Sequence, residues 1–242
     1  MPPSLFISDL HLAPSREALV AAFERFCAGP ARGAGSLYVL GDLFDAWIGD
    51  DQIRDRIAAR VVAALRGVAD AGVSVAIARG NRDFLLGERF ASAAGATLLP
   101  EQIVVDLHGT PTLLSHGDEL CTDDLGYLKV RIWRSDPARQ RRFLALPYFI
   151  RRAIAEWFRL RSRGATMVKS DAIMDVNAGA VIDALRAHGV RRMIHGHTHR
   201  PARHEVIVDG NACERYVLGD WYDRGSYLEV DGAGSRVREV PA

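Results

Sequence analysis

Cysteine is scarce in this chain of 242 residues. Cys27, Cys121 and Cys213 are odd in number and widely spaced, and no C-x-x-C pair occurs. Such usage argues against a disulfide framework and indicates a reducing compartment. Cys121 lies near a group of polar residues that could bind a metal, but we interpret it as a small buried apolar side chain.

Long apolar runs are also missing. No segment approaches the roughly 18–20 residues of a membrane-spanning helix, and Asp9 falls so early that no room is left for a signal peptide. We therefore expect a cytosolic protein whose contact with any membrane is peripheral. The composition, 48% hydrophobic and 25% charged, is typical of a globular core and excludes a disordered chain. The length fits one domain spanning residues 1–242.

A net charge of +1 predicts no partner by itself, but the charge is unevenly distributed. Residues 129–169 contain twelve Lys or Arg and only two acids, Asp136 and Glu156, which gives about +10 there and about −9 elsewhere. A basic patch of this size should attract an anionic substrate or surface.

Strand and helix patterns alternate over the first half of the chain and predict a layered α/β fold with a largely parallel core. Helices are expected after Ser15, as an N-cap, and over 53–69. A return helix capped by Ser170 should run through Val176 to Gly189. The tail, 204–240, alternates apolar and polar residues and should add antiparallel strands to a second sheet. Short buried strands are predicted over residues 4–8, 37–40, 73–78, 112–115 and 192–194.

The segment 122–169 interrupts this alternation and reads as a helical cap inserted between core strands. Asp136-Pro137 resembles an N-cap followed by the first helical residue, and Pro147 can open a further helix. Apolar residues recur at spacings of three and four among many arginines: Phe143, Leu146, Ile150, Ile154 and Trp157. Two interpretations stay open, namely that this stripe packs on the core or that it faces lipid.

Five short polar clusters follow apolar runs, where ligands of parallel sheets collect. They contain carboxylates, an amide and imidazoles but no thiol, a combination that suits Mn²⁺, Fe or Zn²⁺. Asp42 follows Gly41 and could bridge two cations. The clusters are Asp9-Leu10-His11, Gly41-Asp42, Gly80-Asn81-Arg82-Asp83, Ser115-His116-Gly117-Asp118 and His195-Gly196-His197-Thr198-His199.

The order of these motifs resembles the calcineurin-like metallophosphoesterase family over residues 4–200 or so. The resemblance implies two packed β-sheets flanked by helices, and a dinuclear metal site. It implies that one ion is held by Asp9, His11, Asp42 and His199, and the other by Asp42, Asn81, His116 and His197.

Two cations roughly 3.5–4 Å apart clamp phosphate oxygens and lower the pKa of a water that attacks phosphorus. We therefore expect Asp42 and Arg82 to be catalytic. Many family members carry histidine where this chain has Arg82, which cannot donate a proton near neutral pH but can neutralise charge on phosphoryl oxygens. Asp83 and His195 are interpreted as residues that orient the ligands.

A closer resemblance covers the chain almost end to end, in segments such as residues 41–51, 80–87, 120–124 and 172–177. In these segments the chain is similar to family members that cleave the diphosphate of a UDP-linked diacylated glucosamine in lipid A biosynthesis, giving UMP and the acylated sugar 1-phosphate. This implies Mn²⁺ as the metal, peripheral attachment to the anionic inner membrane, and substrate contacts at Asn81, Arg82, Asp124, Ser162, Thr166, Lys169 and His197.

Other functions remain to be separated from this one. A metallophosphoesterase acting on a soluble nucleotide or dinucleotide would leave the apolar stripe of the cap without a ligand. A scaffold without catalysis should have lost ligands, yet none is missing. A nuclease is disfavoured, because the basic patch is confined to a short insert; we expect neither a nucleic acid nor an obligate protein partner.

Overall fold

Two mixed β-sheets flanked by helices form the protein in a computed structural model, which describes residues 1–166, 175–222 and 225–240. In chain order the strands are β1 (Ser4–Ile7), β2 (Ser36–Leu40), β3 (Ser74–Ala78), β4 (Ala96–Leu98), β5 (Gln102–Leu107), β6 (Thr110–Ser115), β7 (Arg192–His195), β8 (Ala202–Val208), β9 (Asn211–Val217), β10 (Ser226–Asp231) and β11 (Gly234–Glu239). The α-helices are α1 (Glu17–Ala28), α2 (Arg56–Ala69), α3 (Glu88–Ala94), α4 (Leu125–Ser135), α5 (Pro137–Leu144), α6 (Tyr148–Thr166) and α7 (Ala178–His188).

The first sheet has the order β11-β10-β1-β2-β3-β4, and the second has the order β5-β6-β7-β9-β8. Strands β1 to β4 are parallel, as are β6, β7 and β9. Their carboxyl ends therefore open toward the same edge of each sheet, which is where ligands of such sheets bind.

Alternation along β1 divides the core into layers. Leu5 and Ile7 face the helices α1 and α2, whereas Phe6 points toward the second sheet and packs with Leu114 and Ile194. A third apolar cluster joins the outer face of the second sheet to α7, through residues that include Leu185. Burial on both faces is the reason these strands read as apolar runs in the sequence.

Two predictions about the first helices are wrong in detail. The N-cap position of α1 is Arg16 rather than Ser15, and no side chain accepts a hydrogen bond there. The pattern predicted as one helix over 53–69 is divided into a 3₁₀ turn, Asp50–Arg54, and α2. The turn is held by Gln52, whose side chain bonds to the backbone of the preceding loop, and this contact cannot be read from periodicity.

The second half of the chain brings two more corrections. Helix α7 begins at Ala178, after Asn177, whose side chain accepts the N–H of Ala180, so that Val176 precedes the helix; Ser170 lies outside the described residues. The tail does not stay on one sheet. β8 and β9 extend the second sheet, but β10 pairs with β1 and carries β11 onto the first.

Helices α4 to α6 lie between β6 and β7 in the chain, as predicted for the insert. The predicted cap at Asp136 is confirmed, since its side chain accepts the N–H of Ala138 and Pro137 follows at the first helical position. Within the described ranges, no helix combines the length and apolar character needed to cross a bilayer.

Candidate metal centre

Loops at the ends of five strands bring the predicted ligands together. Asp9 and His11 follow β1, Asp42 follows β2, Asn81 follows β3, and His116 follows β6. The segment after β7 supplies the last two, His197 and His199. Both sheets thus contribute to one site, because their parallel strands end on the same side.

Backbone strain is concentrated at this site. Only seven non-glycine residues in the described ranges have positive φ, and five of them belong to the predicted ligand set, whereas the other two, His108 and Asp209, lie in hairpin turns. Left-handed backbone is costly for such residues and is retained where the surrounding structure and function require it. The five are Asp9 (57°), His11 (48°), Asp42 (51°), His197 (70°) and His199 (55°).

Glycine is required where two loops approach each other. Gly41 has φ of +85°, and a Cβ there would lie 2.5 Å from Nδ1 of His116. A Cβ on Gly196 would lie 2.4 Å from Oδ2 of Asp9 and even closer to Ser8. Both positions therefore exclude any side chain, and this permits the ligands to converge.

Asp9, His11 and His199 form the first of two groups that could hold a metal ion. The Nε2 atoms of His11 and His199 lie 3.4 Å apart, and Oδ1 of Asp9 lies 3.3 Å from Nε2 of His199. Asp9 is fully buried, and its Oδ2 accepts the backbone N–H of His197 at 2.7 Å. Three donor atoms consequently face a common point.

The second group consists of Asp9, Asp42 and His116. Asp9 is common to both groups. Asp42 also approaches the first group, since its Oδ2 is 3.7 Å from Nδ1 of His11 and its Oδ1 is 3.7 Å from Nε2 of His116. Asn81 adds an amide oxygen 3.1 Å from Nε2 of His116. The His197 ring lies beside that of His116, with 5.0 Å between centroids. The two oxygens of Asp42 therefore face different groups, as a bridging carboxylate requires.

The tautomer of His116 is fixed by its backbone contact. Nδ1 lies 2.9 Å from the Leu40 carbonyl and must donate to it. In a neutral ring this leaves the lone pair of Nε2 directed at Oδ1 of Asn81, which is also an acceptor. A proton on His116 or a metal ion between these two atoms would make the contact favourable.

The electrostatics of the buried groups agree with this. Burial, together with the nearby carboxylates Asp83 and Asp9, raises the pKa of Asp42 to about 7. Burial also lowers the pKa of His11 to about 3 and that of His197 to about 3, so both rings are neutral and keep a lone pair. For His116, burial favours a lower pKa, but the charges of Asp42, Asp9 and Asp118 raise it to about 9.

The residues present fit divalent cations. Oδ1 of Asp9 and Nδ1 of His11 are buried and have no hydrogen-bond partner, a state that costs free energy unless a ligand compensates it. The donors are carboxylate, amide and imidazole, with no thiolate, which suits Mn²⁺, Fe or Zn²⁺.

Two residues predicted to orient the ligands do contact the ligand loops. Asp83 is fully buried, and its carboxylate accepts the backbone N–H groups of Asp42, Leu43, Phe44 and Gly80, which ties two loops together. His195 donates from Nδ1 to the carbonyl of Gly196 and accepts from Arg215. Burial, followed by the charge of Arg215, lowers the pKa of His195 to about 4, so it is neutral.

Sequence reasoning missed two contacts. Oδ2 of Asp220 lies 3.2 Å from Nδ1 of His199 and holds that ring in place. Asp220 belongs to none of the five clusters, and no motif indicated this contact. Asp118 was part of a motif but received no role. Its Oδ2 accepts from Tyr127, Arg131 and Arg134 of α4, and the Tyr127 ring lies 5.7 Å from that of His197.

The predicted substrate residues are only partly described. Arg82 is half-buried, and its N–H donates to Oδ1 of Asp42 at 2.7 Å. Asp124 is the N-cap of α4 and accepts the N–H of Tyr127. Lys169 lies outside the described residues, as do the side chains of Ser162 and Thr166.

Comparison with known proteins decides the family. The model of the calcineurin-like phosphoesterase family matches residues 2–201, which include every predicted ligand. The chain belongs to the calcineurin-like phosphoesterase family. Metal sites with two ions are a property of this family, in agreement with the two donor groups described above.

Curated relatives of this calcineurin-like phosphoesterase match over nearly their whole length. A UDP-2,3-diacylglucosamine hydrolase of Escherichia fergusonii is 51% identical over 227 residues, covering 94% of both chains. Proteins of the same name from Escherichia coli and Shigella sonnei match with the same identity and coverage.

Solved structures show the same fold at low identity. An archaeal phosphodiesterase is 12% identical and has a TM-score of 0.50, with 98% of this chain and 99% of the other covered. A dimetal phosphatase from Danio rerio is 13% identical, has a TM-score of 0.50, and is covered completely, as is this chain. These two matches extend the architecture of the calcineurin-like phosphoesterases to the whole chain.

Proposed function

We propose that this protein hydrolyses the diphosphate of UDP-2,3-diacylglucosamine, releasing UMP and 2,3-diacylglucosamine 1-phosphate, in lipid A biosynthesis. The observation that carries the proposal is the 51% identity, over 94% of both chains, to hydrolases named for this substrate. The buried group of carboxylates and imidazoles provides the chemistry such a reaction requires.

For the metals, we propose that Asp9, His11, Asp42 and His199 hold one divalent ion, and that Asp42, Asn81, His116 and His197 hold the other. The opposed directions of the two Asp42 oxygens support its bridging role. Mn²⁺ is the ion we propose for both positions, as the resemblance implies, and oxygen and imidazole donors without thiolate are compatible with it.

When bound, such a pair of ions stabilises charge on phosphoryl oxygens and provides a water of lowered pKa. The residues of the chain then have separate tasks. Asp42 is held in place by the backbone N–H of Arg82 and by Asp83 beneath its loop. Arg82, whose positive charge lies close enough to affect His11, would neutralise charge that develops on the phosphoryl group.

Residues 1–242 form a single domain in this proposal. Its cap, residues 122–169, would bind the acylated half of the substrate. Nine of the fourteen exposed large apolar side chains in the described ranges lie on it, and so most of these side chains are concentrated on the cap. They are Leu125, Val130, Ile132, Trp133, Leu144, Phe149, Ile150, Trp157 and Phe158. Of the predicted stripe, Phe143 packs against the core instead.

The decisive experiment compares two substrates. Turnover of UDP-2,3-diacylglucosamine is measured with Mn²⁺ beside that of a deacylated UDP-sugar. We expect the acylated substrate to be strongly preferred, since only it can use the apolar surface of the cap. Equal rates would contradict lipid specificity but not phosphoesterase activity. Absence of both reactions would contradict the proposed activity.

We also propose peripheral association of the cap with the anionic face of the inner membrane, because exposed apolar side chains and arginines are combined there. Ile132 is 71% exposed on α4, and Ile207, 63% exposed on β8, offers a matched control away from the cap. Ile132→Asp should weaken co-sedimentation with vesicles containing phosphatidylglycerol, and Ile207→Asp should not. Equal weakening by both variants, or by neither, would contradict the assignment of this surface.

A further inference from the structure

The metal centre has two flanks, and only one carries the cap. On that flank, Tyr127 of α4 lies beside His197. On the other flank lies the side chain of Tyr222, whose ring centroid is 6.0 Å from that of His199 and 6.5 Å from that of His11. Arg16 covers this ring, with its Cζ 4.5 Å from the centroid. None of the functions assigned above uses this second pair.

Arg16 is a cation with unused hydrogen-bonding capacity. Its Nη1 is shielded from solvent and has no hydrogen-bond partner, and in the described ranges no carboxylate forms an ion pair with it. Its charge lies close enough to His11 to help lower the pKa of that ring, after burial, His199 and Arg82 and against the opposing charge of Asp9. Buried donors of this kind are rare unless a ligand or water completes them.

The backbone places both residues firmly. The N–H of Arg16 bonds to the Ala13 carbonyl, and its own carbonyl accepts from the first turn of α1. Tyr222 follows Trp221, which is fully buried between α1 and the first sheet and donates its backbone N–H to the carbonyl of Asp9. The Tyr222 residue itself remains 56% exposed. An aromatic side chain, more than half exposed, is thus held beside the metal centre.

The chemistry of this flank differs from that of the cap. A planar aromatic ring stacks on a nucleobase, and an arginine donates to phosphate oxygens with geometric specificity. Apolar side chains suited to acyl groups are exposed on the cap rather than here. The two halves of the proposed substrate leave the diphosphate in opposite directions, and therefore each flank can take one half.

We infer that Arg16 and Tyr222 form the subsite for the nucleoside monophosphate half of the substrate. Tyr222 stacks on the base, and the Arg16 guanidinium donates to the nucleoside-side phosphate. This inference rests on the proposed function for the identity of the nucleotide, but it assigns two residues that the sequence motifs did not point to.

Equilibrium binding tests the subsite without turnover. UMP, ribose 5-phosphate and inorganic phosphate are titrated into the Mn²⁺-loaded protein by calorimetry. Tyr222→Leu should weaken UMP about tenfold or more and leave ribose 5-phosphate unchanged. Arg16→Gln should weaken both. Tyr222→Phe keeps the ring and should bind UMP like the parent protein.

Controls separate this role from a structural one. Metal content and the melting temperature should be unchanged in each variant, and inhibition by the acylated sugar 1-phosphate should stay the same. Unaltered UMP binding in Arg16→Gln and Tyr222→Leu would overturn the inference, as would loss of bound metal. If UDP-2,3-diacylglucosamine is not turned over but UMP binding falls as expected, the substrate proposal fails and the nucleotide subsite stands.

Discussion

The metal centre and the cap place polar and apolar groups in opposite ways. At the centre, charged side chains such as Asp9 and Asp42 are buried, and backbone strain is tolerated to bring them there. On the cap, large apolar side chains such as Phe149 are exposed on regular helices. Each region thereby departs from the usual pattern of a globular protein in the direction that its proposed ligand would compensate, namely cations at the centre and lipid at the cap.

The two regions are also held together differently. The centre is fastened by many backbone contacts, such as those of Asp83, whereas a few charged side chains fasten the cap. Arg134 and Arg131 reach Asp118 on one side, and Arg151 reaches the Ile48 carbonyl and Asp51 on the other. Substitutions at the centre should therefore alter metal binding and chemistry, and substitutions at the cap should alter its docking.

The largest expected effect is that of Asp42→Ala. Removal of a carboxylate that faces both donor groups should release metal, and kcat should fall by more than the roughly 10–100-fold typical of an outer-shell partner. Metal content by atomic emission and steady-state rates measure this. Asp183→Ala, which changes an exposed carboxylate on α7, should leave both unchanged. Two ions still tightly bound in Asp42→Ala would contradict the bridging role.

Arg82→Ala tests whether chemistry can be separated from metal binding. We expect turnover to fall about 100-fold, as for loss of one group that stabilises transition-state charge, while metal content is preserved. The half-buried side chain makes no ion pair within the described residues, so the fold should tolerate its removal. Loss of metal in this variant would assign Arg82 to the support of the ligands instead.

Asp220→Asn probes the contact behind His199. Loss of the negative charge 3.2 Å from Nδ1 of that ring should weaken metal affinity about tenfold or more, within the range found for carboxylates behind metal-bound histidines. Competition with a fluorescent chelator measures the affinity directly. An affinity equal to that of the parent protein would show that Asp220 does not support metal binding.

Neighbouring arginines of α6 provide a matched pair for the cap. Arg151 is buried and bonds to Ile48, Asp51 and Leu146, whereas Arg152 is 65% exposed. Arg151→Ala should cost about 2 kcal/mol through its unpaired partners, seen as faster hydrogen exchange in α6. Arg152→Ala should exchange like the parent. Equal behaviour of the two variants would contradict anchoring by Arg151.

The smallest effect concerns the thiols. All three cysteines are buried, and burial raises the pKa of Cys121 to about 12. Almost no thiolate forms at pH 8, so a thiol reagent should react slowly with the native protein and rapidly with all three thiols in urea. Rapid reaction of Cys121 in the native protein would show that the loop beside the metal centre opens.

Much of the candidate centre was predictable from the sequence, because short motifs at strand ends carry both the predicted ligands and the glycines that let them converge. The fold class, the core strands and the helical character of the insert followed from periodicity. Helix starts were less predictable: Arg16 rather than Ser15 precedes α1, because residue preference at the N-cap does not locate a helix boundary to within one residue.

The sequence by itself determined the ligand types, the family and the amphipathic cap, because these depend on residue identity and local spacing. Only the tertiary structure decided which contacts join distant segments. It carried β10 to the first sheet and set Asp220 behind His199. It also placed Tyr222 beside Arg16, more than 200 residues earlier in the chain. Such contacts arise from the packing of the whole core, and no local pattern encodes them.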